Sequence, residues 1–139
     1  MNIEKSIQLL AEHDHGILGT VRPSGESHLV PVVYSYVNNF VVIPVDTVKK
    51  KATAELARFR HLDGNPHASL LIEHWDHDDW SRLWWVRADL HADTSPDGEI
   101  LALGARRLSS SFSQYADTPF SSLHVFEVSR VVGWTASDP

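Results

Sequence analysis

The chain has 139 residues and a formal charge of −6 with histidine neutral, the size of one ordinary domain, and is read as a single domain over 1–139. It contains no cysteine, which excludes disulfide frameworks, thiolate metal sites and a cysteine nucleophile. The acidic balance speaks against nucleic-acid binding, and no apolar run approaches the ~20 residues of a membrane helix.

Met1-Asn2-Ile3-Glu4-Lys5 lacks a basic stretch followed by an apolar core, so a secretory signal is not expected and a cytoplasmic location is. Residues 2–14 are predicted as a helix: Ile3, Ile7 and Leu10 share a face, Asn2 can cap the start and Gly16 can end it. The period then changes to that of strands over 17–21, 28–36 and 40–45, with turn chemistry at Arg22-Pro23-Ser24-Gly25 and Asn38-Asn39. Val48, Ala52, Leu56 and Phe59 restore helical spacing over 49–62. Strands follow over 68–73 and 83–94, separated by the polar loop Trp75-Asp76-His77-Asp78-Asp79. Ser95-Pro96 can open a third helix as cap and first residue, running to about 107, where Ser109-Ser110-Ser111 breaks it. A last β segment covers 123–134. Six or so strands with few long helices predict a mainly β protein, a small barrel with peripheral helices.

Lys49-Lys50-Lys51 concentrates three ammonium groups just before a helix, whose N-terminal amides favour anions. A bound phosphate would satisfy both; a solvated surface turn fits equally well, and the residues alone leave both open. Val30-Pro31-Val32 and Ile43-Pro44-Val45 put a proline in each of two strands. Proline removes a ladder donor and belongs at edges or bulges, so the pair suggests an opened seam where a flat ligand could lie, or two edge strands with no ligand. In Trp84-Trp85-Val86-Arg87, alternation places Trp85 and Arg87 on one face and Trp84 and Val86 on the other. His74-Trp75-Asp76-His77-Asp78-Asp79 has metal-ligand residue types but reads as a solvated loop, and no metal is expected. No Gly-rich dinucleotide fingerprint, P-loop, nucleophile elbow or general acid stands out, and the catalytic residues are unknown.

The order of these parts resembles the pyridoxamine 5'-phosphate oxidase-like split-barrel superfamily. The resemblance rests on Gly25-Glu26-Ser27-His28-Leu29-Val30-Pro31-Val32 as a second strand, and on Val42-Ile43-Pro44-Val45-Asp46 running into the three lysines. It continues through Asn65-Pro66-His67-Ala68-Ser69-Leu70-Leu71 and Trp84-Trp85-Val86-Arg87-Ala88-Asp89. The long helix before Asn65 and the Asp79-Trp80 stretch are more similar to an actinobacterial subgroup of F-420-dependent enzymes. The resemblance implies a homodimer with two cofactor sites at its interface. It also implies a cofactor phosphate held by Lys50 with Lys49, Lys51 and Thr53, and a ring lying against Pro31, Val32, Ile43, Pro44 and Val45. Trp85 and Arg87 would approach the cofactor held by the other subunit. His28 stands where the vitamin B6 oxidases use arginine, and Val32 and Val33 are apolar where a second basic residue is used. The expectation is therefore coenzyme F-420 and hydride transfer to a small organic substrate. FMN on the same fold is the first alternative, and a non-catalytic haem or tetrapyrrole binder the second.

Overall fold

A computed structural model describes residues 1–45, 62, 64–115 and 122–137. The elements are α1 (Ile3–Glu12), β1 (His15–Val21), β2 (Ser27–Val33), β3 (Ser35–Val37), β4 (Phe40–Val45), β5 (His67–His74), β6 (Trp84–Ala92), α2 (Gly98–Ser111) and β7 (Ser122–Thr135). The strands form one antiparallel sheet of seven, in the order β2-β1-β5-β6-β7-β4-β3. The mainly β barrel expected from the sequence is present, with seven strands where about six were counted. Among the described residues no helix is long and apolar enough to cross a membrane.

The extra strand comes from the run 28–36, which is not one strand but two. β2 pairs with β1, while β3 pairs with β4, and Tyr34 alone separates them. These two strands are also the two edges of the sheet. Consecutive Cα atoms lie only about 3.8 Å apart, so the sheet must curl until its edges meet, which makes it a barrel. The Tyr34 amide donates to the Asp14 carbonyl at 2.9 Å at this crossing.

Alternation sorts the strand residues. Leu18, Tyr34, Val41, Ile43, Leu70, Ile72, Val86, Ala88 and Phe126 fill the barrel with Leu9 and Leu10 of α1. A second cluster, Val37, Val42, Ile100, Leu108 and Val125, lies under α2. The consecutive Val41-Val42-Ile43 are all buried because β4 has the barrel on one face and α2 on the other.

Local details differ from the sequence expectations for identifiable reasons. α1 buries Ser6, Leu9 and Leu10 and leaves Ile3 60% exposed. Asn2 does cap it, its Oδ1 accepting from the Lys5 amide at 2.8 Å. His13 rather than Gly16 ends it, donating its backbone N–H to Leu9 O. Gly16 already belongs to β1, where a Cβ would lie 2.6 Å from Leu71 O, so glycine permits the β1–β5 approach. α2 is capped by Asp97, not Ser95, and Ser109-Ser110-Ser111 stays helical, with Phe112 as the C-cap. The predicted helix 49–62 lies almost entirely outside the described residues.

Gly104 holds α2 against β4: a Cβ there would stand 2.7 Å from Val42 Cγ2 and 2.8 Å from Cγ1. Alanine in a helix ordinarily improves on glycine by up to about 1 kcal/mol. Here the clash with a buried, β-branched neighbour reverses the sign. Gly104→Ala is expected to destabilise by about 1–3 kcal/mol, read as a lower urea midpoint at unchanged slope.

Candidate functional site

β4 has α2 on its outer face, but nothing among the described residues covers the outer faces of β1, β5 and β6. The register sets out what they present. One row runs Pro31, Ile17, Leu71, Arg87, Val132 from β2 to β7. In the neighbouring row, Glu73 stands opposite Trp85, and Trp85 opposite Trp134. Ile17 and Leu71 are each 38% exposed and Leu29 is 69% exposed, apolar side chains left open to solvent on one face.

Two depressions lie on this side. The larger, of about 600 Å³, is lined chiefly by Ile17, Leu29, Leu71, Trp75, Trp85 and Arg87. The Arg87 guanidinium sits 6.0 Å from the centre of the Trp85 ring, and its Nε is 3.3 Å from Asp89 Oδ1. An apolar floor with one oriented cation is what a flat, partly anionic ring system requires. The smaller depression, of about 330 Å³, includes His13, His15, Pro31, Val32 and Glu73 in its lining. The two share Ile17, Leu71 and Glu73.

The expected site residues are thus distributed as follows. Trp85 and Arg87 lie together in the larger depression, and Trp84 packs on the barrel core as their alternation requires. Pro31 and Val32 line the smaller one, Val32 being only 8% exposed. Ile43 points into the barrel core, and Pro44 is buried opposite Leu123. Pro31 is on an edge strand, and Pro44 lies beyond the short β3 ladder that ends at Val42, so both prolines sit where no ladder donor is missed. Val45 ends β4; Lys49, Lys50, Lys51 and Thr53 lie outside the described residues. In the sequence His13 and His15 read only as the end of the first helix, and neither Glu73 nor Leu29 was expected as a site residue. The only signal for them was outward position on strands whose inward residues are core.

The acidic loop after β5 is built from its own carboxylates. Asp76 Oδ1 accepts from the amides of Asp78 and Asp79 at 3.0 and 3.1 Å. Asp79 Oδ1 accepts from the Ser81 hydroxyl at 2.6 Å and amide at 3.0 Å, and these bonds hold its carboxyl below the usual range. Among the described residues no three His, Asp or Glu side chains converge as a metal site.

No protein-family profile matches the chain, and no curated protein matches it. Solved structures do. A FAD-binding protein from Mesorhizobium loti superposes with a TM-score of 0.71 at 14% identity, over 96% of this chain and 92% of that one. A conserved hypothetical protein from Mycobacterium tuberculosis gives 0.74 at 17% identity, over 98% and 86%. A heme binding protein from Mycobacterium smegmatis gives 0.68 at 18% identity, over 96% of this chain and 57% of that one. These likenesses establish the fold as a split barrel.

Proposed function

We propose that two copies of this split barrel pack their bare sheet faces together and hold a flavin-type cofactor at the interface, coenzyme F-420 in preference to FMN. The observation that carries this reading is the uncovered apolar face, with Trp85 and Arg87 side by side in its larger depression. Two of the similar structures are a FAD-binding and a heme binding protein, and cofactor binding on this fold agrees with the resemblance in the sequence. When bound, a flavin or deazaflavin supplies hydride chemistry; the chain supplies a dry, apolar seat and orientation. The protein is then an oxidoreductase acting on a small organic substrate.

F-420 is longer and more anionic than FMN, and Lys49-Lys50-Lys51 with Arg58 and Arg60 extends positive charge beyond one phosphate contact. The test is titration of the cofactor-free protein with F-420, FMN and haem in parallel. F-420 is expected to bind at least about tenfold tighter than FMN, a gap of about 1.4 kcal/mol, narrowing as salt screens the lysines. Lys50→Ala should weaken F-420 by about 1–3 kcal/mol, the scale of a charge-assisted bond. FMN binding as tightly transfers the assignment to the flavin alternative; haem alone binding transfers it to a tetrapyrrole carrier.

A further inference from the structure

The smaller cavity has chemistry that the ring's seat lacks. His13 Nδ1 lies 2.9 Å from the Leu9 carbonyl oxygen, and His15 Nδ1 lies 2.9 Å from Asp14 Oδ1. Both partners are acceptors, so each Nδ1 carries the proton and donates. In the neutral form of either ring this fixes the tautomer and leaves Nε2 as the second polar atom, with a lone pair to offer. Glu73, the third polar residue of the lining, is also an acceptor. Around them stand Ile17, Pro31 and Leu71. His13, His15 and Glu73 thus line, with these apolar neighbours, a cavity of about 330 Å³, near the lower end of ligand-site sizes.

We infer that this cavity is a second small-molecule site, taking a planar aromatic compound with a hydroxyl or N–H donor, hydrogen-bonded by His15 and Glu73. Because it adjoins the larger depression along Ile17, Leu71 and Glu73, its occupant abuts whatever lies over Trp85. The inference stands whether or not a cofactor occupies that neighbour.

The probes are 2-naphthol and 2-methoxynaphthalene, alike in shape and differing in the one donor. A site built to hydrogen-bond a hydroxyl rejects the analogue that lacks it, since its own polar groups are then left unpaired. Calorimetric titration of the purified protein should give at least about tenfold tighter binding of 2-naphthol, about 1.4 kcal/mol. His15→Phe keeps a flat ring and removes Nε2; combined with Glu73→Ala it should reduce the preference to about twofold or less. Both positions are exposed, so the variant should fold, checked by an unchanged circular dichroism spectrum. Equal binding of the two probes by the parent overturns the inference, as does a preference that survives in the double variant. Displacement of 2-naphthol by F-420 or FMN also overturns it, because the cavity then belongs to the cofactor. If neither cofactor binds while the naphthol preference holds, the proposed function fails and this site remains.

Discussion

Leu71→Arg should leave the protein at its monomer mass of 15.6 kDa in light scattering, where the proposed dimer of the parent is expected to give about twice that value. Leu71 stands at the centre of the bare face, between Ile17 of β1 and Arg87 of β6. Its side chain points outward and is 38% exposed, so the single barrel loses little when it changes. In an interface of two like faces the substitution acts twice, because every contact is repeated by symmetry. Each copy would bury a guanidinium in an apolar contact, with Arg87 beside it. An uncompensated buried charge costs about 3–5 kcal/mol, so two weaken the dimer by roughly 10⁴-fold or more. Leu71→Ala removes only part of the apolar contact and should leave the dimer intact at micromolar concentration. A Leu71→Arg protein that still runs as a dimer would place the subunit contact elsewhere. If the cofactor lies between the subunits, the arginine variant must lose cofactor affinity along with its partner.

Much of this face was legible in the sequence, because a strand's period of two is a local property. That Trp84 and Val86 share one face and Trp85 and Arg87 the other follows from their order alone; the structure turns the first pair inward and the second outward. The break at Tyr34 was not legible. The run 28–36 is uninterrupted strand chemistry, and the exchange of partner from β1 to β4 is decided by sheet closure, not by any residue's preference. The face of α1 was misread because Ser6, a small residue, turns inward next to Gly133, and its hydroxyl is satisfied by the Asn2 carbonyl at 3.0 Å. Three serines stay helical in α2 because the fully buried Leu108 anchors that turn and its carbonyl accepts from the Phe112 amide. The cluster of His13, His15 and Glu73 was invisible because it forms only across the cavity between the α1–β1 corner, β2 and β5. Read singly, the first two are a helix end and the third an exposed strand residue.

Tyr34→Ala should be among the most damaging substitutions in the described chain, costing about 3–5 kcal/mol. Tyr34 is 1% exposed and lies at the one-residue crossing between the two sheet edges. Its ring fills barrel core, its amide donates to Asp14 O, and its hydroxyl donates to Leu10 O at 2.6 Å. The Leu10 carbonyl belongs to the last turn of α1, where the helix itself offers no partner. One side chain thus ties α1 to both sheet edges, and alanine removes the packing and the tie together. Domains of this kind have total stabilities of about 5–15 kcal/mol, so the melting temperature should fall by roughly 10–20 °C. Tyr34→Phe separates the two contributions: the ring stays, the Leu10 carbonyl loses its donor, and the cost should be about 1–3 kcal/mol. The same buried phenol carries a pH dependence. Burial first, and the Asp14 carboxylate second, push the phenol well above its ordinary value. A raised folded-state pKa stabilises the protein fully below the unfolded value of about 10, and that contribution is lost as pH climbs above it. Urea unfolding from pH 7 to 11 should therefore show the parent weakening above pH ~10 and Tyr34→Phe weakening less. A Tyr34→Ala protein within about 1 kcal/mol of the parent would mean that the barrel edges are held together by something other than this residue.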